Sequence, residues 1–180
     1  RQRQMCIRDS TLTQYLDAME KSYIIHRVDP FFTNKRKEMV KQERVYFLDT
    51  GLRNAAVNDF RTPIDGHVFE NYVLIELLKM GLRPKYWRTR AKAEVDFVIE
   101  NDDIIPIEVK SHMDPRRVEK SLRSFIESYE PRRAYVIGIR GRPGETEVNG
   151  CTVVFTDLPG LWEHMIGIDF SGASGYSIKG

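Results

Sequence analysis

The chain has 180 residues, 41% of them hydrophobic, which suffices for one domain with a real core and a small appendage. Its 28 Lys and Arg stand against 26 Asp and Glu, so a net charge of +2 makes no global case for nucleic acid and only local clustering could make one. Cys6 and Cys151 fit no disulfide or zinc spacing, no apolar run is long enough for a bilayer, and no signal-peptide core is present. The expectation is a cytoplasmic protein with no membrane partner.

In chain order, the first ten residues stand apart. Gln4-Met5-Cys6-Ile7-Arg8-Asp9-Ser10 is the translation of CAG-ATG-TGT-ATA-AGA-GAC-AGC, nearly all of it a transposase adapter end used in DNA library preparation. Residues 1–10 are therefore expected to be a sequencing scar, with native protein continuing upstream of Thr11; a natural codon run in the raw reads would overturn this. Leu12, Tyr15, Leu16 and Met19 predict a helix over Thr11 to Glu20, capped by Ser10 or Thr11. Strands are expected at Tyr23 to Val28 and Arg44 to Leu48, around the basic turn Asn34-Lys35-Arg36-Lys37. Helix, strand, basic turn and strand make either the closing half of a winged helix (11–52) or a plain helix-hairpin support.

The rest, 53–168, reads as an α/β domain. Gly66 to Met80 is a strongly apolar helix stopped by Gly81. Strands follow at Lys85 to Thr89, Glu94 to Glu100 and Ile104 to Lys110. Asp114 and Pro115 are expected to open a helix that buries Val118, Leu122, Phe125 and Ile126 and ends near Glu130-Pro131. Strands at Ala134 to Ile139 and Thr152 to Phe155, a short helix over Leu158 to Met165, and a loose tail at 169–180 complete the reading.

The chemistry sits on the hairpin. With Asn101-Asp102-Asp103 as the loop, Ile99 faces Ile105, Phe97 faces Ile107 and Val95 faces Val109, all on one side. On the other side Asp96 falls opposite Glu108, and Lys110 shares the face of Glu108. Opposed side chains have Cβ atoms about 5 Å apart, so two carboxylates there need a positive neighbour, and a hard divalent cation suits them. Lys110 could neutralise the pair, orient a water or contact phosphate. Glu70 lies on an apolar helix stripe with Val73, Leu74 and Leu77 and must find a partner there, either the same cation or a buried Arg or Lys.

Val95-Asp96, then Glu108-Val109-Lys110, with Glu70 on the preceding helix, resembles the PD-(D/E)XK phosphodiesterase superfamily, with Val95 where the motif's proline would stand. A closer resemblance rests on Tyr46-Phe47-Leu48-Asp49-Thr50-Gly51-Leu52, Phe69-Glu70-Asn71, Tyr86-Trp87-Arg88-Thr89, Glu94-Val95-Asp96-Phe97 and Ile107-Glu108-Val109-Lys110-Ser111. In this order they are similar to domain of unknown function family 4143, the C-terminal domain of many prokaryotic AAA-type ATPases. The resemblance covers roughly Thr11 to Leu161 and implies a restriction-endonuclease-like core: helix, three-stranded antiparallel meander, helix, strand. It implies that Asp96 and Glu108, with the Val109 carbonyl, hold Mg²⁺ or Mn²⁺, that Glu70 completes or orients the shell, and that Lys110 steers a water. Lys120 matches a polar helper position, with a solvated helix lysine as the alternative. The chain contains no Gly-x-x-x-x-Gly-Lys-Ser/Thr, so ATP would be bound only by a missing upstream ATPase domain acting in cis.

For DNA contact the expected residues are Arg88, Arg90, Lys92, Arg116, Arg117 and Lys120, near Arg83, Lys85 and Arg123. Their alternative is a solvated, charged edge strand. Trp87 is expected in the core, and His67, His112 and His164 in ordinary surface roles. The expected function is metal-dependent phosphodiester hydrolysis or DNA binding. The alternative is a catalytically inactive module that binds nucleic acid or a protein partner and regulates the ATPase. The sequence leaves the oligomeric state open.

Overall fold

A computed structural model describes residues 9–32, 42–60, 66–101 and 103–166. Along the chain run α1 (Asp9–Lys21), β1 (Ile25–Val28), β2 (Arg44–Phe47), α2 (Thr50–Val57), α3 (Gly66–Lys79), β3 (Lys85–Arg88) and β4 (Glu94–Glu100). Then come β5 (Ile104–Met113), α4 (Lys120–Tyr129), β6 (Arg133–Gly141), β7 (Gly144–Val148), β8 (Cys151–Thr156) and α5 (Leu158–Ile166). Among the described residues no helix is long and apolar enough to cross a membrane.

The large sheet has the order β3-β4-β5-β6-β8-β7. The first three strands form the expected antiparallel meander. β6 then lies parallel to β5, with α4 as the crossover that a parallel pair requires. β8 is parallel to β6, and β7 closes the far edge antiparallel to β8. Ala134–Ile137 and Val153–Phe155 are continuous buried runs because these strands are covered on both faces. One core cluster packs Val73, Leu74 and Leu77 of α3 with Leu161 and Met165 of α5; the other packs Leu122, Phe125 and Ile126 of α4. The architecture is a mixed sheet between helical layers. Trp87 sits in the second cluster, edge-on to Phe125 at 5.2 Å, as its apolar ring leads one to expect.

Several elements differ from expectation. α1 already includes Asp9, so Ser10 and Thr11 lie inside the helix rather than capping it. α2 was not expected; Asp49 caps it by accepting the Leu52 N–H at 2.8 Å, and Asn58 ends it in the left-handed region. β5 continues three residues past Lys110 to Met113, so Asp114 stabilises a turn instead of a helix. Its backbone carbonyl accepts from Arg117 at 2.9 Å and its side chain from the Arg116 N–H at 3.0 Å, and α4 begins only at Lys120. β7 was also missed: its exposed acidic positions at an edge conceal the strand pattern. The basic turn Asn34–Lys37 and the tail 169–180 lie outside the described residues, as do 1–8 of the expected scar.

β1 and β2 pair antiparallel, and Arg27 ties them to α1 through Asp17 at 2.9 Å and Glu20 at 2.6 Å. The hairpin does not hang free. Val28 and Tyr46 enter the α3 core cluster. The Asn71 side chain, 5% exposed, accepts from the Phe47 N–H at 3.1 Å and donates to its carbonyl at 2.6 Å. Beyond Val28 the chain lies against the β3 edge: Tyr86 N–H donates to the Asp29 carbonyl at 3.0 Å, and Phe31 N–H to the Tyr86 carbonyl at 2.7 Å. Phe31 thereby joins the opposite core cluster. Replacing Asn71 by Ala orphans both Phe47 groups; a loss of about 2–4 kcal/mol, read as a lowered urea midpoint, is the expected result. An unchanged midpoint would mean the hairpin is not held this way.

Candidate metal centre

From Glu100–Ile104 through Phe97–Ile107 the hairpin register is the one counted from the sequence. The regular ladder ends there. On the other flank of β4, Lys85 pairs with Val98 but Trp87 with Val95, so β4 carries one extra residue between these pairs. This bulge turns Val95 to the α4 face beside Val98 and Trp87, correcting its expected place beside Phe97. Asp96 consequently does not simply oppose Glu108 in a ladder pair. Its Oδ2 accepts the Val109 N–H at 2.8 Å, taking the place of a strand-to-strand bond in the β4–β5 seam.

Glu108 is 4% exposed. Lys110 Nζ stands 2.6 Å from its Oε1, while its Oε2 is buried with no hydrogen-bond partner. Burial raises the Glu108 carboxyl above its ordinary value, with Lys110 opposing. Burial works against the charge of Lys110, but Glu108 and then Asp96 outweigh it and hold the ammonium above its usual range. Burial also drives the Asp96 carboxyl up to about 7; the charge of Glu70 adds to this, the Val109 N–H opposes it, and Glu108 adds less. Asp96, Glu108 and Lys110 therefore form one electrostatic unit.

Glu70 faces inward as its stripe implied, but its partners come from β2. Tyr46 Oη donates to its Oε1 at 2.6 Å, and Arg44 Nη1 lies 3.6 Å from the same oxygen. His67 Nδ1 is 3.9 Å from Oε2. Arg44 also pairs with Glu94 and stacks over the Tyr86 ring at 4.4 Å. Arg44 and Tyr46 are site residues that sequence reasoning missed; the only signal was the need of Glu70 for a buried cation. Among the described residues no three His, Cys, Asp or Glu side chains form a group that could hold a metal. What fits a hard cation is narrower: two carboxylates, Asp96 and Glu108, one with an unsatisfied buried oxygen.

Glu108 and Lys110 open onto a cleft of about 330 Å³, also lined by His112, Arg117, Glu119 and Val136. Of the expected DNA contacts, Arg88, Arg90 and Lys92 lie around the β3–β4 turn, and Arg116, Arg117 and Lys120 along the β5–α4 connection. Three are held by carboxylates of the chain itself: Arg88 by Glu94 at 3.4 Å, Arg116 by Asp114 at 2.9 Å and Arg117 by Glu119 at 3.4 Å. Lys120 is the exposed first residue of α4. His164 packs on Tyr135, with ring centroids 5.8 Å apart.

Fold and site together define a mixed α/β domain with a buried and a half-buried carboxylate and a lysine at the seam of its central hairpin. The chain belongs to the family described as Domain of unknown function (DUF4143), whose family model matches residues 65–155. A second family, Domain of unknown function (DUF8612), matches residues 2–62. Over 153 residues the chain is 29% identical to the uncharacterized protein Mb2031c of Mycobacterium bovis and, equally, to Rv2008c of Mycobacterium tuberculosis. These matches take in 79% of this chain but 33% of each relative, so it spans about a third of their length. No solved structure matches it significantly.

Asp96 sets a pH test. Between pH about 4 and 7 the folded protein keeps a proton that the unfolded chain has lost, so metal-free stability falls as pH rises through that window. Asp96→Asn removes this slope. In EDTA the variant is expected to melt roughly 3–8 °C above wild type at pH 8 and nearly level with it at pH 4. Parallel profiles would show that Asp96 is not buried against like charge.

Proposed function

We propose that this is a nuclease-like domain in which Asp96 and Glu108 hold one Mg²⁺ or Mn²⁺ beside Lys110, acting on the phosphodiester backbone of DNA. In the longer protein it would work with an upstream AAA-type ATPase domain. The observation that carries this reading is the unpartnered Oε2 of Glu108, a buried carboxylate oxygen beside a second, half-buried acid. Leaving such an oxygen unsatisfied is costly, and a divalent ion is the partner that also relieves the repulsion with Asp96. The ion's chemistry is acidification of a water and neutralisation of charge at phosphorus. Lys110, on the same β5 face as Glu108, would orient that water or meet a phosphate oxygen. Asp96 stays aligned through the Val109 N–H, and Glu70 orients the site from α3.

A different observation favours the second reading. Glu70 is engaged at Oε1 by Tyr46 and Arg44, and three of the expected DNA-binding arginines pair with carboxylates of the chain itself. A module of that kind binds nucleic acid or a protein partner without cutting and regulates the ATPase.

The two separate in one assay. Supercoiled, linear and single-stranded DNA are incubated with Mn²⁺, Mg²⁺ or EDTA. Cleavage in Mn²⁺ that drops roughly 100-fold or more in Asp96→Ala and Lys110→Ala is the expected result. Equal rates in wild type and variants, with no heat of binding for either ion, would leave the regulatory reading standing.

A further inference from the structure

Four carboxylates gather around the seam: Glu70, Glu94, Asp96 and Glu108. Lys110 serves Glu108. Glu70 is served by Arg44, which it shares with Glu94, itself also paired with Arg88; Arg44 comes from β2, within the segment matched by the other family model. Its side chain is 20% exposed and rests on the Tyr86 ring, so salt screens it only partly. A guanidinium stays charged at any working pH. Arg44 and Tyr46 both engage Oε1 of Glu70, and Tyr46 is fixed in turn because the next residue, Phe47, is clamped by Asn71. Glu70 is also the largest charge acting on Asp96.

We propose that Arg44 is the resident counter-cation of this carboxylate cluster and keeps a divalent ion off Glu70. Docking of the β1–β2 hairpin on α3 and cation loading at Glu70 therefore oppose each other. The proposal rests on the reading of Asp96 and Glu108 as a cation pair. A fixed positive charge beside Glu70 lowers the affinity of that carboxylate for a second cation, and the Tyr46 hydroxyl competes for its Oε1. Linkage makes the effect mutual: what loosens the hairpin tightens ion binding, and the ion loosens the hairpin by the same factor. A site of DUF4143 thus takes its state from the unit that precedes it in the chain.

The test is a Mn²⁺ titration, followed by calorimetry and by the signal of free Mn²⁺, with hydrogen exchange read on β1 and β2. Arg44→Gln is expected to bind Mn²⁺ about five- to a hundredfold more tightly. Arg44→Lys, which keeps the charge, is expected to stay near wild type. Arg44→Gln with Glu70→Gln is expected to lose the gain. In wild type, saturating Mn²⁺ is expected to speed exchange of the hairpin amides. Should Arg44→Gln fail to fold, Tyr46→Phe removes the hydrogen bond to the same oxygen without changing charge and is expected to tighten binding by about twofold or more. Unchanged affinity in Arg44→Gln or, where that variant does not fold, in Tyr46→Phe overturns the proposal. So does a gain that persists undiminished in the double variant. The cation pair is judged separately: wild-type binding that survives Asp96→Asn with Glu108→Gln defeats that reading whatever Arg44 does. Binding by none of these proteins ends both.

Discussion

The hydrogen bond from the Val109 N–H to the Asp96 carboxylate organises everything around the seam. A side chain can accept a neighbouring strand's N–H only where its own backbone has left the ladder, and the bulge in β4 supplies that departure. The same extra residue turns Val95 toward α4 and fills the space beside Val98 and Trp87. A half-buried carboxylate is thereby held at the seam, with its orientation fixed by the backbone. Its high proton affinity follows from that position and from Glu70, not from any contact with solvent.

Around this bond the charges are arranged in two compartments. On β5, Lys110 answers Glu108; on the helix side, Arg44 and Tyr46 answer Glu70. Asp96 lies electrostatically between the two and, among the described residues, is held by the Val109 N–H rather than by a cation. Buried carboxylates at this density are sustainable only if each is paired or protonated. The arrangement is thus sensitive to proton and cation activity at one residue, while the surrounding pairs hold the scaffold in place.

Much of the frame was legible because burial leaves a strong mark on sequence. Facing apolar pairs set the β4–β5 register at four positions, and the apolar run with Gly81 marked α3 and its end. The bulge was harder to read. Strict alternation from Phe97 assigns Val95 to the wrong face, although the unbroken Phe97-Val98-Ile99 run signalled a strand covered on both sides. Asp114-Pro115 was ambiguous since the same chemistry that caps a helix also closes a turn. Arg44 and Tyr46 were invisible to periodicity: they reach Glu70 across more than 20 positions in sequence, and only the folded chain makes them neighbours.

The strand-edge segment Asp29–Phe31 has a bearing on how such chains are divided. The two family matches meet between residues 62 and 65, a boundary defined by patterns of inheritance. Yet Val28 and Tyr46 belong to one core cluster, Phe31 belongs to the other, and Tyr86 is bonded on both sides of Pro30. The family matches and the packed cores do not share a boundary. A fragment cut at the family border would carry an open strand edge and two unfilled cores, so for this chain the border between two family matches is a poor place for a pair of scissors.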